Sequence, residues 1–368
     1  MKNGQTIRGY RIISEPTNSG GGRCIWAFAE KRGDGYFVKK FLDPKWPTEM
    51  SMGGPASKQR RREECLEFER RHREVNSRIN PRALGGGNLV TAIDFFRDGT
   101  TYYKVTDRIE AEKATDLRDY SIRQAAVILR TLCHSIKLLH RAGIVHGDLK
   151  PDNVLLQKSG TGDLYTAKVI DFDDAYPSGD PPTPDQVVGD QRYGAPEWLR
   201  YVKGDPAVAP DQLTTAADVF TLGLIFHVYL TGELPGYDQS RFGAAAEAVW
   251  SAQPLGLSPA LDPRAAALLR RMLSPTITDR PDLGELLHQL ADERILIPSD
   301  RPDGRAPAGR PVPDGGRPAP SPPGPRRASR LRVNLARPAP AAGTPAPGPR
   351  PGPPAEPEKS RIRKNIGP

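Results

Sequence analysis

The sequence lacks several features that would indicate whole classes of protein. Its 368 residues include only three cysteines, Cys24, Cys65 and Cys133, whose spacing fits neither a metal-binding motif nor a disulfide framework. No apolar run approaches the ~20 residues that a transmembrane helix needs, and the first residues lack the apolar core of a secretion signal. We therefore expect a soluble protein of the reducing cytoplasm.

The positive charge of the chain is concentrated in its last part. The whole chain has 53 Lys and Arg against 44 Asp and Glu, a formal net charge of +9. Residues 298–368 contain 14 basic and 5 acidic residues and 20 of the 39 prolines, so they account for the entire excess. The remainder is formally neutral, which gives no support for nucleic-acid binding. A tail so rich in Pro, Gly, Ala and Arg cannot bury enough apolar surface to fold, so we expect it to be disordered.

Three short segments follow one another in an informative order. The first is His146–Asn153, with the sequence HGDLKPDN. Asp171-Phe172-Asp173 and then Ala195-Pro196-Glu197 follow it. Each segment is short enough to arise by chance as a surface turn, but their order and spacing together are specific.

In order and spacing these segments resemble the conserved loops of protein kinases, and their residue types suit the phosphoryl transfer that this resemblance implies. Asp148 supplies a carboxylate that can orient an attacking hydroxyl and accept its proton. Asn153 and Asp171 supply the oxygen ligands that Mg²⁺ on a triphosphate prefers. Lys150, two residues after Asp148, would place positive charge beside the migrating phosphoryl group. We predict Asp148 and Lys150 as catalytic residues, and Asn153 and Asp171 as metal ligands.

The three segments resemble the catalytic loop, the metal-binding loop and the end of the activation segment of eukaryotic-like (Hanks-type) serine/threonine protein kinases. The resemblance covers roughly residues 10–295. It implies an α+β, bilobal protein-kinase fold, with a small β-rich N-lobe that contains one helix and a large, mainly helical C-lobe. It also implies ATP and Mg²⁺ as cofactors, protein substrates, and a soluble, bacterial member of the family.

Two further matches distinguish protein kinases from small-molecule kinases, which also share a His-Gly-Asp loop. Ala217–Gly223 resembles the buried helix of the large lobe, whose aspartate, here Asp218, caps amides of the catalytic loop. Arg280 resembles the arginine that pairs with Glu197 at the end of the activation segment. A buried charge must be matched, so this pairing is structural.

The glycine-rich loop that covers the nucleotide phosphates is expected between the first two strands. Tyr10–Ile13 and Cys24–Ala29 are predicted as strands on either side of a Gly cluster. Aligning Ile25 with the apolar residue that follows this loop in kinases puts Gly20 at the central glycine, Asn18 at the first and Arg23 at the third. Gly20, Gly22 and Ile25 are our candidates for nucleotide binding here. Glycine suits this place because the backbone must approach the phosphates closely.

The third strand, Tyr36–Phe41, is expected to carry the lysine that binds the phosphates. Lys39 is our candidate and Lys40 the alternative, because strand alternation places the two on opposite faces. Choosing Lys39 puts Phe37 where kinases usually carry a small alanine against adenine. The adenine pocket should therefore have an unusual shape.

Two more strands should lead to the hinge that holds adenine. Leu89–Phe96 and Thr101–Thr106 flank the hairpin signal Asp98-Gly99. The second strand runs into Asp107–Glu110, which resembles the hinge, and Asp107 is predicted to contact the cofactor. Thr106 would then gate the back pocket.

Residues 56–79 predict an amphipathic helix at the place of the kinase C-helix, whose glutamate pairs with the strand lysine. Glu69 is our candidate for that glutamate, and Glu67 and Glu74 remain alternatives. Most glutamates of this helix should be solvated partners of arginines one turn away. Ser121–Ala142 predicts a second helix, which packs in the core.

Three further positions depart from the kinase pattern. Gly147 replaces the arginine that usually precedes the catalytic aspartate, so a phosphorylated activation loop would find no cation there. Asp173 replaces the glycine after Asp171-Phe172, and a non-glycine should restrict the backbone to one conformation. Asp190 stands where serine/threonine kinases carry a threonine that touches the catalytic aspartate and lysine.

These departures leave two functions open. The first is an active, non-RD serine/threonine kinase, and the second is a pseudokinase scaffold that binds nucleotide or partners without efficient turnover. The basic, proline-rich tail contains one apolar stretch, Leu331–Leu335, that could dock a partner, although a solubilising linker is the simpler interpretation. We expect no sequence-specific nucleic-acid binding and no membrane span.

Overall fold

The computed structural model of the protein describes residues 1–19, 22–79, 88–113, 116–160 and 163–299. Its N-terminal part is an antiparallel sheet of six strands, which are β1 (Thr6–Ile7), β2 (Tyr10–Ile12), β3 (Cys24–Lys31), β4 (Asp34–Phe41), β5 (Asp94–Asp98) and β6 (Thr101–Asp107). Their order in the sheet is β1-β2-β3-β4-β6-β5.

Alternation along β3 and β4 gives the sheet two different faces. One face buries small and β-branched side chains, among them Ala27, Ala29 and Val38, in a core with Ile12. The other face carries Lys39 and its neighbours and is directed toward the rest of the protein. This period of two is the ordinary consequence of strand geometry, and it decides which lysine of β4 can enter a site.

Tight turns fix the register of the sheet. Lys31 pairs with Asp34, which leaves a two-residue turn in which Arg32 and Gly33 have φ values of 57° and 92°. Such primed turns match the twist of the flanking strands. The predicted hairpin at Asp98-Gly99 is also present, since Asp98 pairs with Thr101. Strand β5 begins at Asp94, whereas the sequence predicted a strand from Leu89. Leu89 instead makes an isolated bridge to Val169.

One long helix, α1 (Pro55–Arg78), packs on this sheet. Its bounds agree with the expected residues 56–79 to within one residue. Proline at the first helical position is favourable, because its missing N–H would have no partner there. The helix is polar over most of its surface and buries Cys65, His72 and Val75.

The C-terminal part is mainly helical. It contains α2 (Ile122–Arg141), α3 (Pro196–Val202), α4 (Ala216–Thr231), α5 (Ala245–Trp250), α6 (Pro263–Met272) and α7 (Leu283–Gln289). Helix α2 begins at a capping box, in which Ser121 Oγ accepts from the Gln124 N–H and the Ser121 N–H donates to Gln124 Oε1. Helices α2 and α4 form the centre of the large core, with side chains such as Leu132, Ile136 and Phe226.

Five short strands form two small separate sheets near the site. They are β7 (Glu112–Lys113), β8 (Ile144–Val145), β9 (Val154–Lys158), β10 (Tyr165–Val169) and β11 (Tyr176–Pro177). Strand β9 pairs with β10 and β7, and β8 pairs with β11. The β8–β9 connection holds His146–Asn153, and the β10–β11 connection holds Asp171-Phe172-Asp173. The predicted bilobal α+β architecture is therefore confirmed.

The predicted domain limits need one adjustment. Strand β1 precedes residue 10, and Ile7 is buried in the core of the sheet, so the folded part begins earlier than expected. At the other end Ile295 and Leu296 are buried and Ser299 donates to the Ala260 carbonyl. Residues 300–368, which make up nearly all of the predicted tail, lie outside the described residues. No helix in the described ranges has the length and apolarity to cross a bilayer.

Candidate active site

A cleft of about 410 Å³ lies between the sheet and the helical part. Strands β3, β4 and β6 supply Trp26, Phe37, Lys39 and Thr106, and the opposite wall includes Asn153 and Asp171. The cleft is large enough for a nucleotide-sized ligand. Both of the predicted metal ligands and the predicted strand lysine therefore face one space.

Asp148 stands in a buried network on the β8–β9 connection. Lys150 Nζ lies 3.0 and 2.8 Å from the two carboxylate oxygens of Asp148. Asn153 Nδ2 donates to Asp148 Oδ2 at 3.1 Å and to the Asp148 carbonyl at 2.6 Å. All three side chains are buried, so the carboxylate of Asp148 is poorly hydrated and the ammonium group of Lys150 compensates its charge. The structure thus brings together Asp148, Lys150 and Asn153 as predicted.

A carboxylate from helix α4 fixes the start of this loop. Asp218 Oδ2 accepts from the His146 N–H at 2.9 Å and lies 3.1 Å from His140 Nε2. His146 Nε2 in turn lies 3.2 Å from the Ile170 carbonyl, next to Asp171. The expected capping role of Asp218 is therefore confirmed, and it links the catalytic loop to the segment that carries Asp171.

Gly147 occupies a backbone conformation that a larger residue would strain. Its φ is +78°, and a Cβ atom built there would lie 2.2 Å from the Asp174 carbonyl oxygen. The glycine therefore permits a close backbone approach between the catalytic loop and the segment after Asp171. Asp190 Oδ2 lies 3.9 Å from Lys150 Nζ, so Asp190 adds negative charge beside the predicted catalytic residues.

The expected pair of Glu197 and Arg280 is present and buried. Arg280 Nη1 and Nη2 donate to the two carboxylate oxygens of Glu197 at 2.6 and 2.8 Å. Arg280 also donates to the carbonyl oxygens of Ala216 and Ser274, each at 3.0 Å. This bidentate geometry anchors the end of the activation segment, residues 171–197, to the large lobe.

Lys39, the predicted phosphate-binding lysine, is one of four charged groups in close contact. Its Nζ lies 2.7 Å from Asp171 Oδ1 and 2.6 Å from Asp173 Oδ2. Lys104 Nζ lies 2.8 Å from Asp173 Oδ1. We call Lys39, Lys104, Asp171 and Asp173 the Lys39 cluster. Its side chains are at most 16% exposed, and its two positive and two negative charges balance.

Charge pairing outweighs burial within the Lys39 cluster. Burial alone would raise the pKa of Asp173, but the ammonium groups of Lys104 and Lys39 hold that pKa well below its usual range. Burial would likewise lower the pKa of Lys39, but Asp171 and Asp173 raise it above its usual value. The neighbouring His72 behaves differently, because burial lowers its pKa to about 3 and leaves it neutral at pH 7.

The expected ion pair between Lys39 and Glu69 is absent from the described structure. Glu69 accepts from the Tyr102 hydroxyl and from Arg73, both at 2.8 Å. The alternatives, Glu67 and Glu74, are paired with arginines of the same helix. Each of these glutamates has an arginine three or four residues away on the same helix, and this arginine competes with Lys39 for the carboxylate.

Strand register corrects the prediction for Ile25. Ile25 pairs with Lys40, on the face opposite to that of Trp26 and Lys39. Trp26 therefore lines the cleft where Ile25 was expected, and Ile25 is not among the lining residues. The same register supports the choice of Lys39 over Lys40.

The glycine loop is only partly described. Gly22 has φ +55°, a conformation that favours glycine. Gly20, the other predicted phosphate-covering glycine, lies outside the described residues. Its expected role therefore stays a prediction.

The end of the cleft that is predicted to hold adenine is aromatic. Phe37 stacks on Trp26 with ring centroids 5.2 Å apart and meets Phe28 edge-on at 6.2 Å. Thr106 pairs with Phe37 across the sheet, and Thr106 and Asp107 both line the cleft as predicted. Phe37 thus places an aromatic ring where the kinase resemblance predicts a small alanine, so this end of the cleft has an unusual shape.

Lys104 is the site residue that sequence reasoning missed. It is opposite Lys39 in the pairing of β4 with β6 and is 5% exposed. The sequence contained a signal, since Lys104 is the one charged residue in the predicted strand Thr101–Thr106. A buried lysine requires a partner of opposite charge, but its partner, Asp173, is 69 residues away in the chain.

The groups present fit a magnesium ion. Asp171 offers a carboxylate and Asn153 an amide, and both line the cleft. Because Asn153 Nδ2 donates to Asp148, its amide oxygen is the atom left to coordinate. Oxygen ligands of this type are those that Mg²⁺ prefers in phosphate-handling sites.

The bilobal fold, the cleft and the two anchored loops define a protein kinase domain. Residues 56–290 match the family model described as the protein kinase domain, so the chain belongs to the protein kinase family. The curated relatives that it resembles support the eukaryotic-like, serine/threonine branch of that family.

Three of these relatives illustrate the extent of the similarity. "Serine/threonine-protein kinase RAD53" of Saccharomyces cerevisiae is 32% identical over 165 residues, which cover 41% of this chain and 19% of that protein. "Probable serine/threonine-protein kinase CE0033" of Corynebacterium efficiens is 33% identical over 165 residues, with coverage of 42% and 22%. "Calcium-dependent protein kinase 5" of Oryza sativa subsp. japonica is 29% identical over 235 residues, with coverage of 59% and 40%. The matched regions span less than half the length of these relatives.

Proposed function

We propose that this protein is an ATP-dependent protein kinase that transfers the γ-phosphate of ATP to serine or threonine hydroxyls of other proteins. The observation that carries the proposal is the buried Asp148–Lys150–Asn153 network at the cleft that also contains Lys39 and Asp171. Each chemical task of phosphoryl transfer then has a residue of suitable type.

The residues divide the work as follows. Asp148 orients the substrate hydroxyl and takes its proton, and Lys150 offsets the charge that develops on the phosphoryl oxygens. Lys39 and the loop glycines Gly20 and Gly22 contact the phosphates of ATP, and Asp107 contacts the nucleoside at the hinge. Asn153 and Asp171 hold Mg²⁺, which when bound neutralises the charge of the triphosphate.

The acceptor is proposed to be a basic protein segment. The activation segment carries exposed Asp180 and Asp185, and Asp190 lies beside Lys150. Arg192 is the single basic residue between Asp171 and Glu197. Opposite charge steers a basic peptide to such a surface and raises the rate of encounter.

The enzyme is proposed to be of the non-RD type, without an activating phosphate on its activation segment. Gly147 has no cation to offer, and the space for a side chain at that position is taken by the Asp174 carbonyl. The segment is instead held by the Glu197–Arg280 pair and by the Lys39 cluster. Neither anchor depends on a phosphate group.

A second candidate function is a pseudokinase scaffold. The contact of Asp171 with Lys39 favours it, because this contact engages the proposed metal ligand and the proposed phosphate lysine with each other. Phe37, which adds a ring at the adenine end, favours it as well. A scaffold of this kind would bind nucleotide or partners without turnover.

The test is the transfer of labelled γ-phosphate from ATP to a generic basic protein in the presence of Mg²⁺, followed by identification of the phosphorylated amino acids. Phosphoserine or phosphothreonine that depends on Mg²⁺ is the expected product. An Asp171→Asn variant is the matched control and should bind Mg·ATP more weakly. Nucleotide binding by the wild-type protein with no transfer to any acceptor would favour the scaffold.

We place the protein in the cytoplasm and expect the tail to dock a partner or act as a linker. Cys24, Cys65 and Cys133 are all buried and none of them forms a disulfide, in agreement with a reducing compartment. The excess positive charge of residues 298–368 would direct the tail to an acidic or phosphate-rich surface. Tailless protein that keeps its transfer activity but loses a binding partner would support docking.

A further inference from the structure

The groups that contact Lys39 come from an unexpected part of the chain. Its two carboxylate partners, Asp171 at 2.7 Å and Asp173 at 2.6 Å, both belong to the activation segment. Within the described residues, no carboxylate of helix α1 contacts Lys39. Lys39 is therefore held by the β10–β11 connection and not by helix α1.

Helix α1 presents an imidazole to this place instead of a carboxylate. His72 Nε2 lies 3.9 Å from Asp173 Oδ1, and His72 Nδ1 lies 3.0 Å from the Phe68 carbonyl. Its ring is 4% exposed and packs on Phe68 and Phe95. Glu69, one turn earlier, keeps its contact with the buried Tyr102 hydroxyl. The helix thus contributes packing here, whereas the charge comes from Asp173.

Lys104 explains why Asp173 stays in place. Lys39 and Lys104 are directly opposite in the antiparallel pairing of β4 with β6, so two ammonium groups lie side by side on the cleft face. Without a carboxylate between them they would repel each other in a poorly hydrated site. Asp173 places one oxygen on each lysine, at 2.6 and 2.8 Å. The glycine that usually follows Asp171-Phe172 in kinases has no side chain for this purpose.

Asp171 is less suited to hold Lys39 during the reaction. It is the proposed metal ligand, so its carboxylate is shared with the cation when nucleotide is bound. Asp173 is bound to two lysines at once and has a side chain only 8% exposed. Of the two carboxylates, Asp173 is the one whose contacts do not compete with the proposed metal.

We propose that Asp173 is the positioning residue for Lys39, in place of a carboxylate on helix α1, and that Lys104 fixes Asp173. This inference rests on the proposed role of Lys39 in binding the ATP phosphates. It has a consequence for regulation, because a shift of α1 would leave the contact between Lys39 and Asp173 intact. The site is then assembled by the sheet and the activation segment together.

The test uses variants that keep the charges balanced. Asp173→Asn alone would leave two lysines facing one carboxylate, which would destabilise the fold. We therefore combine Asp173→Asn with Lys104→Met, which removes one charge of each sign. The comparison variant is Glu69→Gln, which keeps an acceptor for the Tyr102 hydroxyl but removes the charge that sequence reasoning assigned to Lys39.

The measurement is the affinity for Mg·ATP by titration calorimetry, since Mg²⁺ engages Asp171 and leaves Asp173 as the carboxylate that orients Lys39. We expect the double variant to bind ATP about tenfold more weakly, because Lys39 loses its orienting partner. Glu69→Gln should stay within about twofold of the wild-type protein. In Mg²⁺ assays the double variant should raise the KM for ATP more than it lowers kcat.

A rescue separates positioning from packing. Adding His72→Glu to the double variant puts a carboxylate on the α1 residue nearest to Asp173, and most of the lost ATP affinity should return. Failure of this rescue, wild-type affinity in the double variant, or an equal loss in Glu69→Gln would each overturn the inference. A wild-type protein that binds ATP but transfers no phosphate would refute the proposed catalysis and leave this binding comparison valid.

Discussion

Replacement of Arg280 by methionine tests the structural reading of the Glu197–Arg280 pair. The Arg280 side chain is fully buried, and Glu197 is 7% exposed. Arg280→Met keeps an unbranched side chain of similar length but removes both charge-assisted hydrogen bonds to Glu197. It also removes the donors to the carbonyl oxygens of Ala216 and Ser274.

The loss of stability follows from the carboxylate that remains. Removing one partner of a buried ion pair typically costs ~3–5 kcal/mol, because the other charge stays buried without compensation. For a domain of this size, 1 kcal/mol lowers the melting temperature by about 2–4 °C. We therefore expect Arg280→Met to melt about 6–20 °C below the wild-type protein when followed by far-UV circular dichroism.

Two controls make this measurement specific. Arg271 pairs with Glu285 on the surface, with side chains 49% and 38% exposed, so Arg271→Met should cost at most about 1 kcal/mol. The double variant Glu197→Gln/Arg280→Met leaves neither charge of this pair, so it should recover part of the melting temperature that Arg280→Met loses. Equal melting temperatures for Arg280→Met and Arg271→Met would refute the claim that burial makes the first pair important.

Three further predictions concern pH, backbone and regulation. Burial lowers the pKa of His72 to about 3, whereas in the unfolded chain this histidine has the ordinary pKa of about 6.5. Below pH 6.5 the unfolded state therefore binds a proton that the folded state does not, and the free energy of unfolding should decrease by up to ~1.4 kcal/mol for each pH unit. Urea unfolding at pH 7 and pH 5 checks this, and His72→Asn should show the smaller difference. Gly147→Ala should cost more than Gly33→Ala in the same assay, since both have positive φ but only the first Cβ would meet a carbonyl oxygen, at 2.2 Å. Ser178 and Thr183 are the only Ser and Thr of the activation segment, and replacing both by alanine should leave kinase activity within about twofold of the wild-type value. Phosphatase treatment should likewise change the activity of the wild-type protein and of this variant by less than about twofold.

The elements predicted with accuracy are those that local sequence specifies. Helix α2 begins after Ser121 and ends before Ala142, because the capping box and the basic last turn act within a few residues. Alternation along β4 placed Lys39 and Lys40 on opposite faces, and the structure shows that Lys39 is on the face that lines the cleft. The pair of Glu197 and Arg280 could be predicted because the family resemblance supplied the long-range contact.

The errors arose where distant residues compete. Glu69 was a reasonable partner for Lys39 by position, but the choice among the carboxylates of α1 depends on Tyr102 and Arg73. Ile25 was misplaced because the glycine loop gave a loose alignment, and a shift of one residue reverses the face of a strand. The partnership of Lys104 with Asp173 depends on the packing of β6 against the activation segment, which composition and periodicity do not reveal.

The most direct test of the proposed kinase activity is the effect of Asp148→Asn. The amide keeps the size of the side chain and a polar group for Lys150 and Asn153, but it cannot accept the proton of the substrate hydroxyl. In a γ-phosphate transfer assay with Mg·ATP and a basic protein, turnover should fall by about 10² or more, while ATP affinity stays close to the wild-type value. Wild-type turnover in Asp148→Asn would contradict the assignment of this loop as the catalytic centre.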